Sequence, residues 1–172
     1  DDIIDGGAGD GDTAYYAQTI GAGYRLNFDG TSAHVLDQFI TTNPEGDDAL
    51  TNVEFLAFAN GAEVFKLQTG AGGDVTLTGD SKYANAILSW DGNDTLTAGG
   101  SFLDILVGYA GTDTLNGGAG YNDLWGLQDD DTIVGGSGFT VSQYLGSFDK
   151  FAISFDDVSV TITDLDFSNP GN

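Results

Sequence analysis

The residues best suited to chemistry in this 172-residue chain are acidic side chains that recur at intervals of nine or ten residues. Asp94, Asp104, Asp113 and Asp131 share this spacing with Asn122, and each follows a glycine within five residues. Glycine-rich turns expose backbone carbonyls, and Ca²⁺ prefers about six to eight oxygen ligands from carboxylates and carbonyls. The pattern therefore predicts a series of calcium sites.

These side chains lie in nine-residue blocks that follow one another without a gap from Gly99. The blocks are GGSFLDILV, GYAGTDTLN, GGAGYNDLW, GLQDDDTIV and GGSGFTVSQ, and an earlier block, SWDGNDTLT, is set off by the extra residue Ala98. Position 1 is always glycine in the five blocks, and position 8 is apolar in the first four. A glycine-rich half predicts a turn, and the last three residues predict a short strand with position 8 pointing inward. No block can bury its apolar residue alone, so the blocks must stack into a coil.

The blocks resemble the nonapeptide G-G-x-G-x-D-x-U-x of the RTX, or haemolysin-type, calcium-binding repeats over residues 99 to 143. The resemblance implies a parallel β-roll in which two blocks complete one turn and Ca²⁺ lies between successive turns along each edge. One edge would then carry Asp94, Asp113 and Asp131, and the other Asp104, Asn122 and Thr140. The second edge loses its charge block by block, so we expect tighter calcium binding on the first.

Two further aspartates are candidate ligands. Asp129 stands in a glycine position of its block, beside Asp131. Near the amino terminus, Asp2 opens a similar context, but the following GGAGDGD carries one residue too many for the consensus. We expect one irregular site there, involving Asp2, Asp10 or Asp12.

The charge balance excludes several classes of function. The chain has 27 acidic and 4 basic residues, a net charge of -23, and no cysteine. Neutralisation of phosphates dominates nucleic-acid affinity, so nucleic-acid binding is excluded, and insertion into or binding to an anionic membrane is not expected. Disulfides and thiolate metal sites are excluded as well. The chain begins at Asp without a Met, so we expect a segment of a secreted or bacterial cell-surface protein whose export signal lies elsewhere.

A longer repeat spans the chain. IIDGGAG near the start is echoed by TIVGGSG at Thr132, and YRLNF at Tyr24 by FAISF at Phe151. The two prolines, in Asn43-Pro44 and Asn169-Pro170, fall at the same spacing of roughly 127 residues. The sequence therefore indicates one long repeat and the beginning of the next, as in a tandem array.

The overall prediction is an all-β chain, because short apolar alternations are frequent and no stretch has a helical period. We predict a flanking β module at 1–68, a calcium-binding parallel β-roll at 69–143, and the start of a second, sandwich-like flanking module at 144–172. One outer face of the roll is a flat array rich in threonine. On the opposite face, the apolar residues Ile105, Val107, Trp125 and Val141 are expected to pack on the flanking strands or on another subunit.

The leading functional hypothesis is a calcium-dependent structural module, such as an adhesin extender, a surface-layer unit or a filament subunit that self-associates, and not an enzyme. His34 is the one histidine and no pair of carboxylates stands out, so catalysis has little support. Two alternatives stay open. The segment is either an accessory calcium module of a secreted polysaccharide-modifying enzyme or protease, or a module that binds cell-surface glycans through Tyr15, Tyr16, Trp90 or Trp125.

Overall fold

The computed structural model describes residues 2–18, 20, 24–37, 46–100, 102–144, 151–155 and 160–164. The strands of the amino-terminal part are β1 (Ile3–Asp5), β2 (Thr13–Tyr15), β3 (Tyr24–Phe28), β4 (Ala33–Asp37), β5 (Asp47–Thr51), β6 (Phe55–Phe58) and β7 (Glu63–Thr69), with one 3₁₀ turn at Ala59–Gly61. The strands that follow are β8 (Thr76–Thr78), β9 (Ala84–Leu88), β10 (Thr95–Thr97), β11 (Leu103–Tyr109), β12 (Thr114–Asn116), β13 (Tyr121–Leu127), β14 (Thr132–Val134), β15 (Phe139–Gln143), β16 (Phe151–Phe155) and β17 (Val160–Asp164). The prediction of an all-β fold with a parallel β-roll is confirmed. Within the described ranges, no helix has the length and apolarity needed to cross a membrane.

The roll consists of two parallel sheets that the chain visits alternately. One has the strand order β14-β12-β10-β8, and the other contains β15-β13-β11-β9. The position-8 side chains align in register on the inside, as Leu77, Leu96, Leu115 and Ile133 in one sheet and as Ile87, Leu106, Leu124 and Ser142 in the other. The central members of both columns are fully buried, which stabilises the fold by about 1.5–3 kcal/mol for each large apolar side chain.

The spacing of equivalent residues follows from the nine-residue block. Asp113 and Asp131 are 18 residues apart, which is two blocks for one coil. Asp94 and Asp113 are 19 apart, and the extra residue in this coil is Ala98, as the block analysis indicated. The inserted residue is accommodated at the end of a strand, where the Ala98 N–H still donates to the Asn116 carbonyl at 2.8 Å.

The second sheet of the roll continues into the amino-terminal part. Its full order is β15-β13-β11-β9-β7-β6-β2, in which β7 runs parallel to β9 and antiparallel to β6. This sheet crosses residue 68, where the sequence predicted the end of a separate module. The division into three parts stays a prediction.

A further four-stranded sheet, in the order β1-β5-β4-β3, packs against the apolar face of the roll. Ile105, Val107 and Trp125 pack in one core cluster with Tyr24 and Phe28 of β3. The Phe28 N–H donates to the Tyr109 hydroxyl at 2.7 Å, and Arg25 lies 5.7 Å from the centre of the Trp125 ring. The apolar face is therefore covered within the chain. The prediction of packing on the flanking strands is confirmed for these three residues, and self-association of the chain stays a prediction.

The same packing bears on the four aromatic residues proposed to stack on sugars. Tyr16 is buried, stacked near Phe58, so its assignment was wrong. Trp90 and Trp125 are partly buried against the core cluster, and Tyr15 is exposed. Glycan binding stays a prediction.

The long repeat is visible in the backbone. Strands β3 and β4 form an antiparallel pair that joins Tyr24 with Asp37, and β16 and β17 form one that joins Phe151 with Asp164. Both members of the second pair are displaced by the same number of residues, since 151 − 24 = 127 and 164 − 37 = 127. The two copies thus share strand bounds and register. Both Asn-Pro dipeptides lie outside the described residues.

Candidate metal-binding edges

The first edge of the roll carries a ladder of carboxylates, one for each coil. We use "first edge" for the turns at 89–94, 108–113 and 126–131, which end in Asp94, Asp113 and Asp131. The N–H of Asp94 donates to Asp113 Oδ1 at 2.8 Å, and the N–H of Asp113 donates to Asp131 Oδ1 at 2.9 Å. The ladder begins one coil earlier, where the Val75 N–H donates to Asp94 Oδ1 at 2.8 Å. The three aspartates thus lie together, as the sequence predicted.

Each ladder carboxylate has one oxygen committed to a neighbouring coil, and the other oxygen needs a partner. Asp94 Oδ2 and Asp113 Oδ2 are buried without a hydrogen-bond donor. Burial raises the pKa of Asp113 to about 6 and that of Asp131 to about 7, with further increases from Asp94, Asp113 and Asp129 nearby. A buried, unpaired carboxylate is costly, so this edge needs positive charge or protons.

Glycine at position 1 leaves room for two of the three ladder carboxylates, those of Asp113 and Asp131. A Cβ on Gly108 would collide with Asp113 Oδ2, and a Cβ on Gly126 would collide with Asp131 Oδ2. Neither glycine has a positive φ, so the requirement is space and not backbone conformation. The invariant first glycine of the blocks is therefore part of the candidate site.

At the second edge, most hydrogen-bond partners of the turns are supplied by the protein itself. We use this term for the turns that end in Asn85, Asp104, Asn122 and Thr140, which are in register. Asp104 Oδ1 accepts the Asn85 N–H at 2.9 Å, and Asp104 Oδ2 accepts the Gly99 N–H at 3.0 Å. Thr140 Oγ1 donates to the Gly135 carbonyl at 2.5 Å, while Asn122 Nδ2 is buried without a partner. Asp104 therefore has no oxygen free of protein donors, which favours weaker calcium binding at this edge.

Asn85 closes the earliest turn of the second edge. Its Oδ1 accepts the Asp80 N–H at 2.8 Å, and its Nδ2 donates to the carbonyls of Asp80 and Tyr83 at 3.2 and 2.9 Å. Lys66 lies in register one strand earlier and forms an ion pair with Asp80, with 3.3 Å between Nζ and Oδ2. Here a neutral amide and an ammonium group satisfy the turn.

Of the two remaining candidates, Asp129 lies in the last turn of the first edge and Asp2 lies elsewhere. Asp129 is exposed and accepts the Gly111 N–H at 3.1 Å, which links the last two turns of the first edge. Asp2 is exposed, and its N–H donates to Asp48 Oδ1 at 2.9 Å, far along the chain from both edges of the roll. The structure does not bring Asp2 to the carboxylate ladder.

The residues of the first edge fit a calcium ion. Unpartnered buried carboxylate oxygens and glycine-made space are what a hard cation with oxygen ligands requires. Within the described part of the chain, no three or more His, Cys, Asp or Glu side chains cluster as a metal-binding group. An ion held here would therefore depend on backbone carbonyls of the glycine turns for most of its ligands, with Asp94, Asp113 and Asp131 supplying the charge.

Sequence reasoning missed two contributors. The first is the coil before Asp94, in which Asp74 Oδ1 accepts the Asn93 N–H at 2.8 Å. Its signal was the triplet Thr76-Leu77-Thr78, which repeats at Thr95–Thr97. The second is the amide of Asn85, for which the spacing to Ile87 was visible but the hydrogen-bond partners were not.

The parallel coils define this part of the chain as a β-roll, and the carboxylate ladder runs along one of its edges. Residues 104–141 match the RTX calcium-binding nonapeptide repeat in four copies, so the resemblance found in the sequence is confirmed, and these residues are RTX repeats. None of the curated proteins matches the chain. Among solved structures, the extracellular lipase LipA from Serratia marcescens is similar with a TM-score of 0.29 and 19% identity, covering 94% of this chain and 30% of the lipase. The chain thus spans less than a third of the lipase, and a likeness at this TM-score supports no argument about function.

Proposed function

We propose that this chain is a calcium-dependent structural module of a secreted or cell-surface protein, with a rigidifying and not a catalytic role. The observation that carries the proposal is the ladder of buried carboxylates on the first edge, in which Asp94 Oδ2 and Asp113 Oδ2 lack donors. Extracellular calcium modules have dissociation constants of about 10⁻⁴–10⁻³ M, so the module would become rigid after export. Adhesin extender, surface-layer unit and filament subunit are all consistent with such a role.

The side chains of the first edge perform two tasks in this proposal. Each Oδ1 joins one coil to the previous one through a backbone N–H, and the Oδ2 atoms of Asp113 and Asp131 are held in spaces kept open by Gly108 and Gly126. A bound Ca²⁺ would supply the positive charge that these oxygens lack. Because one carboxylate contacts two coils, neutralising it stabilises the stack and not a single turn.

Mechanical unfolding tests the proposal directly. The chain, fused between two reference domains, is expected to unfold at a higher force in 5–10 mM calcium (about tenfold above the expected dissociation constants) than in excess chelator. Asp113→Asn with Asp131→Asn is the matched control, because it keeps the side-chain shape and removes the charge. This control should lose the calcium-dependent increase. Equal forces with and without calcium in the unaltered chain would contradict a rigidifying role.

A further inference from the structure

The two ends of the roll contain the same element of the long repeat in two different situations. We use "first coil" for β1 and β2 with the turn between them, and "last coil" for β14 and β15 with theirs. The sequences Ile3-Ile4-Asp5-Gly6-Gly7 and Thr132-Ile133-Val134-Gly135-Gly136 correspond. Each coil precedes an antiparallel pair of strands, and the two pairs have the same register 127 residues apart. The first and last coils are therefore equivalent.

A coil formed by β5 and β6 stacks on the first coil. After β3 and β4 the chain returns, and β5 pairs in parallel with β1 through Ile4 and Leu50. The next strand, β6, pairs in parallel with β2 through Ala14 and Leu56. The turns join as well, since the N–H groups of Glu54 and Phe55 donate to the Asp12 carbonyl at 3.2 and 3.0 Å. The strands β3 and β4 thus form an insertion in the chain between two coils that stack on each other.

The last coil lacks this covering among the described residues. Each of β14 and β15 is the terminal strand of its sheet, with one hydrogen-bonded neighbour. Ile133 is only partly buried, whereas Leu96 and Leu115 of the same column are fully buried. Val134 and Phe139 are 46% and 64% exposed. Open edge strands with apolar side chains invite the addition of another strand.

We infer that the last coil is a docking site for residues 47–58 of a further copy of the long repeat, in which the last coil takes the place that β1 and β2 hold against β5 and β6 in the first copy. The sheets of successive copies would then be joined. The first coil supplies the register of the junction. Leu50 of the incoming copy takes the place opposite Ile133, and Leu56 the place opposite Ser142. This inference deepens the proposed structural role and depends on it only for the calcium that folds the roll.

The register also states how the copies connect. The Asn-Pro dipeptides correspond with 170 − 44 = 126, so Asn172 corresponds to Gly46, and the position after it corresponds to Asp47. Appending a second copy of residues 47–69 directly after Asn172 therefore reproduces, to within one residue, the spacing between the antiparallel strand pair and β5 in the first copy. The matched control is the same extension with Leu50→Asp and Leu56→Asp in the appended copy only.

Hydrogen exchange in saturating calcium is the measurement. The outward amides of β14 and β15 should gain at least tenfold protection in the extended chain and none in the control extension. No gain in the extended chain would overturn the inference. It would also be overturned if those amides became protected as the unextended chain self-associates. In that chain β5 and β6 already have two neighbouring strands each, so another segment would be the occupant. Protection of β10 to β13 with and without calcium in the unextended chain tests the proposed function separately.

Discussion

At the scale of residues, the Asp113 side chain is both fully buried and largely charged at neutral pH, because burial raises its pKa only to about 6. Burial normally disfavours the charged form of a carboxyl group. One oxygen accepts the Asp94 N–H, and the other has no donor. Such a group destabilises the fold in the absence of a cation and favours binding of a cation when one is present.

We predict that Asp113→Ala weakens calcium binding far more than Asn122→Ala. Asp113 lies between the coils of Asp94 and Asp131, and it contributes charge, whereas Asn122 contributes a neutral amide to the second edge. Losing the charged ligand should cost on the order of 2–3 kcal/mol, or roughly 30- to 150-fold in affinity, against about 1 kcal/mol for the amide. Isothermal titration calorimetry measures both. Equal losses, or a larger loss for Asn122→Ala, would show that the wrong phase was assigned to the roll.

A second prediction concerns the space beside the carboxylate. Gly108→Ala places a methyl group on Asp113 Oδ2 and should lower calcium affinity by at least tenfold. Gly118→Ala is the control, because its Cβ would meet no atom closer than 3.4 Å, which is ordinary contact. Calcium titrations of the two variants by calorimetry make the comparison, and similar affinities would contradict the assigned role of the position-1 glycine.

At the scale of elements, the turns differ in whether the protein itself supplies their hydrogen-bond partners. The Asn85 amide donates to the carbonyls of the turn from Asp80 to Tyr83, whereas the turns of the first edge contain carboxylate oxygens that have no donor. The roll thus begins, on its second edge, with a turn that needs no ion. A metal-independent start gives later coils a formed strand on which to stack.

We expect Asn85→Leu to destabilise the fold by at least about 2 kcal/mol without changing the calcium affinity of the first edge. The variant removes the side-chain partners of the part-buried Asp80 N–H and Tyr83 carbonyl, and one donor of the buried Asp104 Oδ1. Each lost hydrogen bond should cost about 0.5–1.5 kcal/mol, and more where the bond is to the charged Asp104. Denaturant unfolding in saturating calcium measures the stability, and calorimetry measures the affinity. An unchanged unfolding midpoint would mean that the amide does not close this turn.

The small sheet that accompanies the roll contains a pH-sensitive contact. The His34 ring lies between Asp47 and Asp29, with Nδ1 to Oδ1 at 2.9 Å and Nε2 to Oδ2 at 3.2 Å. Burial alone would lower the pKa of His34, but the hydrogen bonds to both carboxylates and their charges raise it above 6.5. The imidazolium therefore stabilises the sheet fully below about pH 6.5 and loses this effect as the pH rises through the raised pKa.

His34→Gln should remove this dependence. The melting temperature in saturating calcium is expected to fall between pH 6 and 8 in the unaltered chain, and to change less over that range in the variant. Thermal unfolding followed by circular dichroism at a series of pH values provides the test. Parallel curves for the two proteins would exclude a role of His34 in the pH dependence.

At the scale of the whole molecule, a net charge of -23 opposes compaction. We predict that chelation of calcium expands the chain and removes most of its strand signal, because aspartates concentrated in turns repel one another once no cation lies among them. The radius of gyration should move toward the roughly 44 Å expected for an unfolded chain of this length. X-ray scattering and circular dichroism during a calcium titration measure this change, and a full strand signal in excess chelator would contradict it.

The sequence by itself determined the architecture of the roll. Glycine at position 1, Asp at position 6 and an apolar residue at position 8 each have a local physical role, namely space, charge and burial, so their period of nine could be converted directly into turns, strands and edges. The offset of 127 residues between β3 and β16 was visible in the same way, because Tyr24 to Phe28 and Phe151 to Phe155 repeat the same pattern. Their antiparallel pairing with β4 and β17 came from the structure.

Only the tertiary structure decided which surfaces are exposed and which turns are already satisfied. The surroundings of the Trp125 ring depend on where β3 and β4, more than eighty residues earlier in the chain, pack on the roll. No local sequence pattern determines this packing. The amide of Asn85 and the ammonium of Lys66 likewise act through partners brought close by the stacking of strands. The charge of an edge can be counted in a sequence, but whether a given oxygen lacks a donor depends on long-range hydrogen bonds that form only when the coils are stacked.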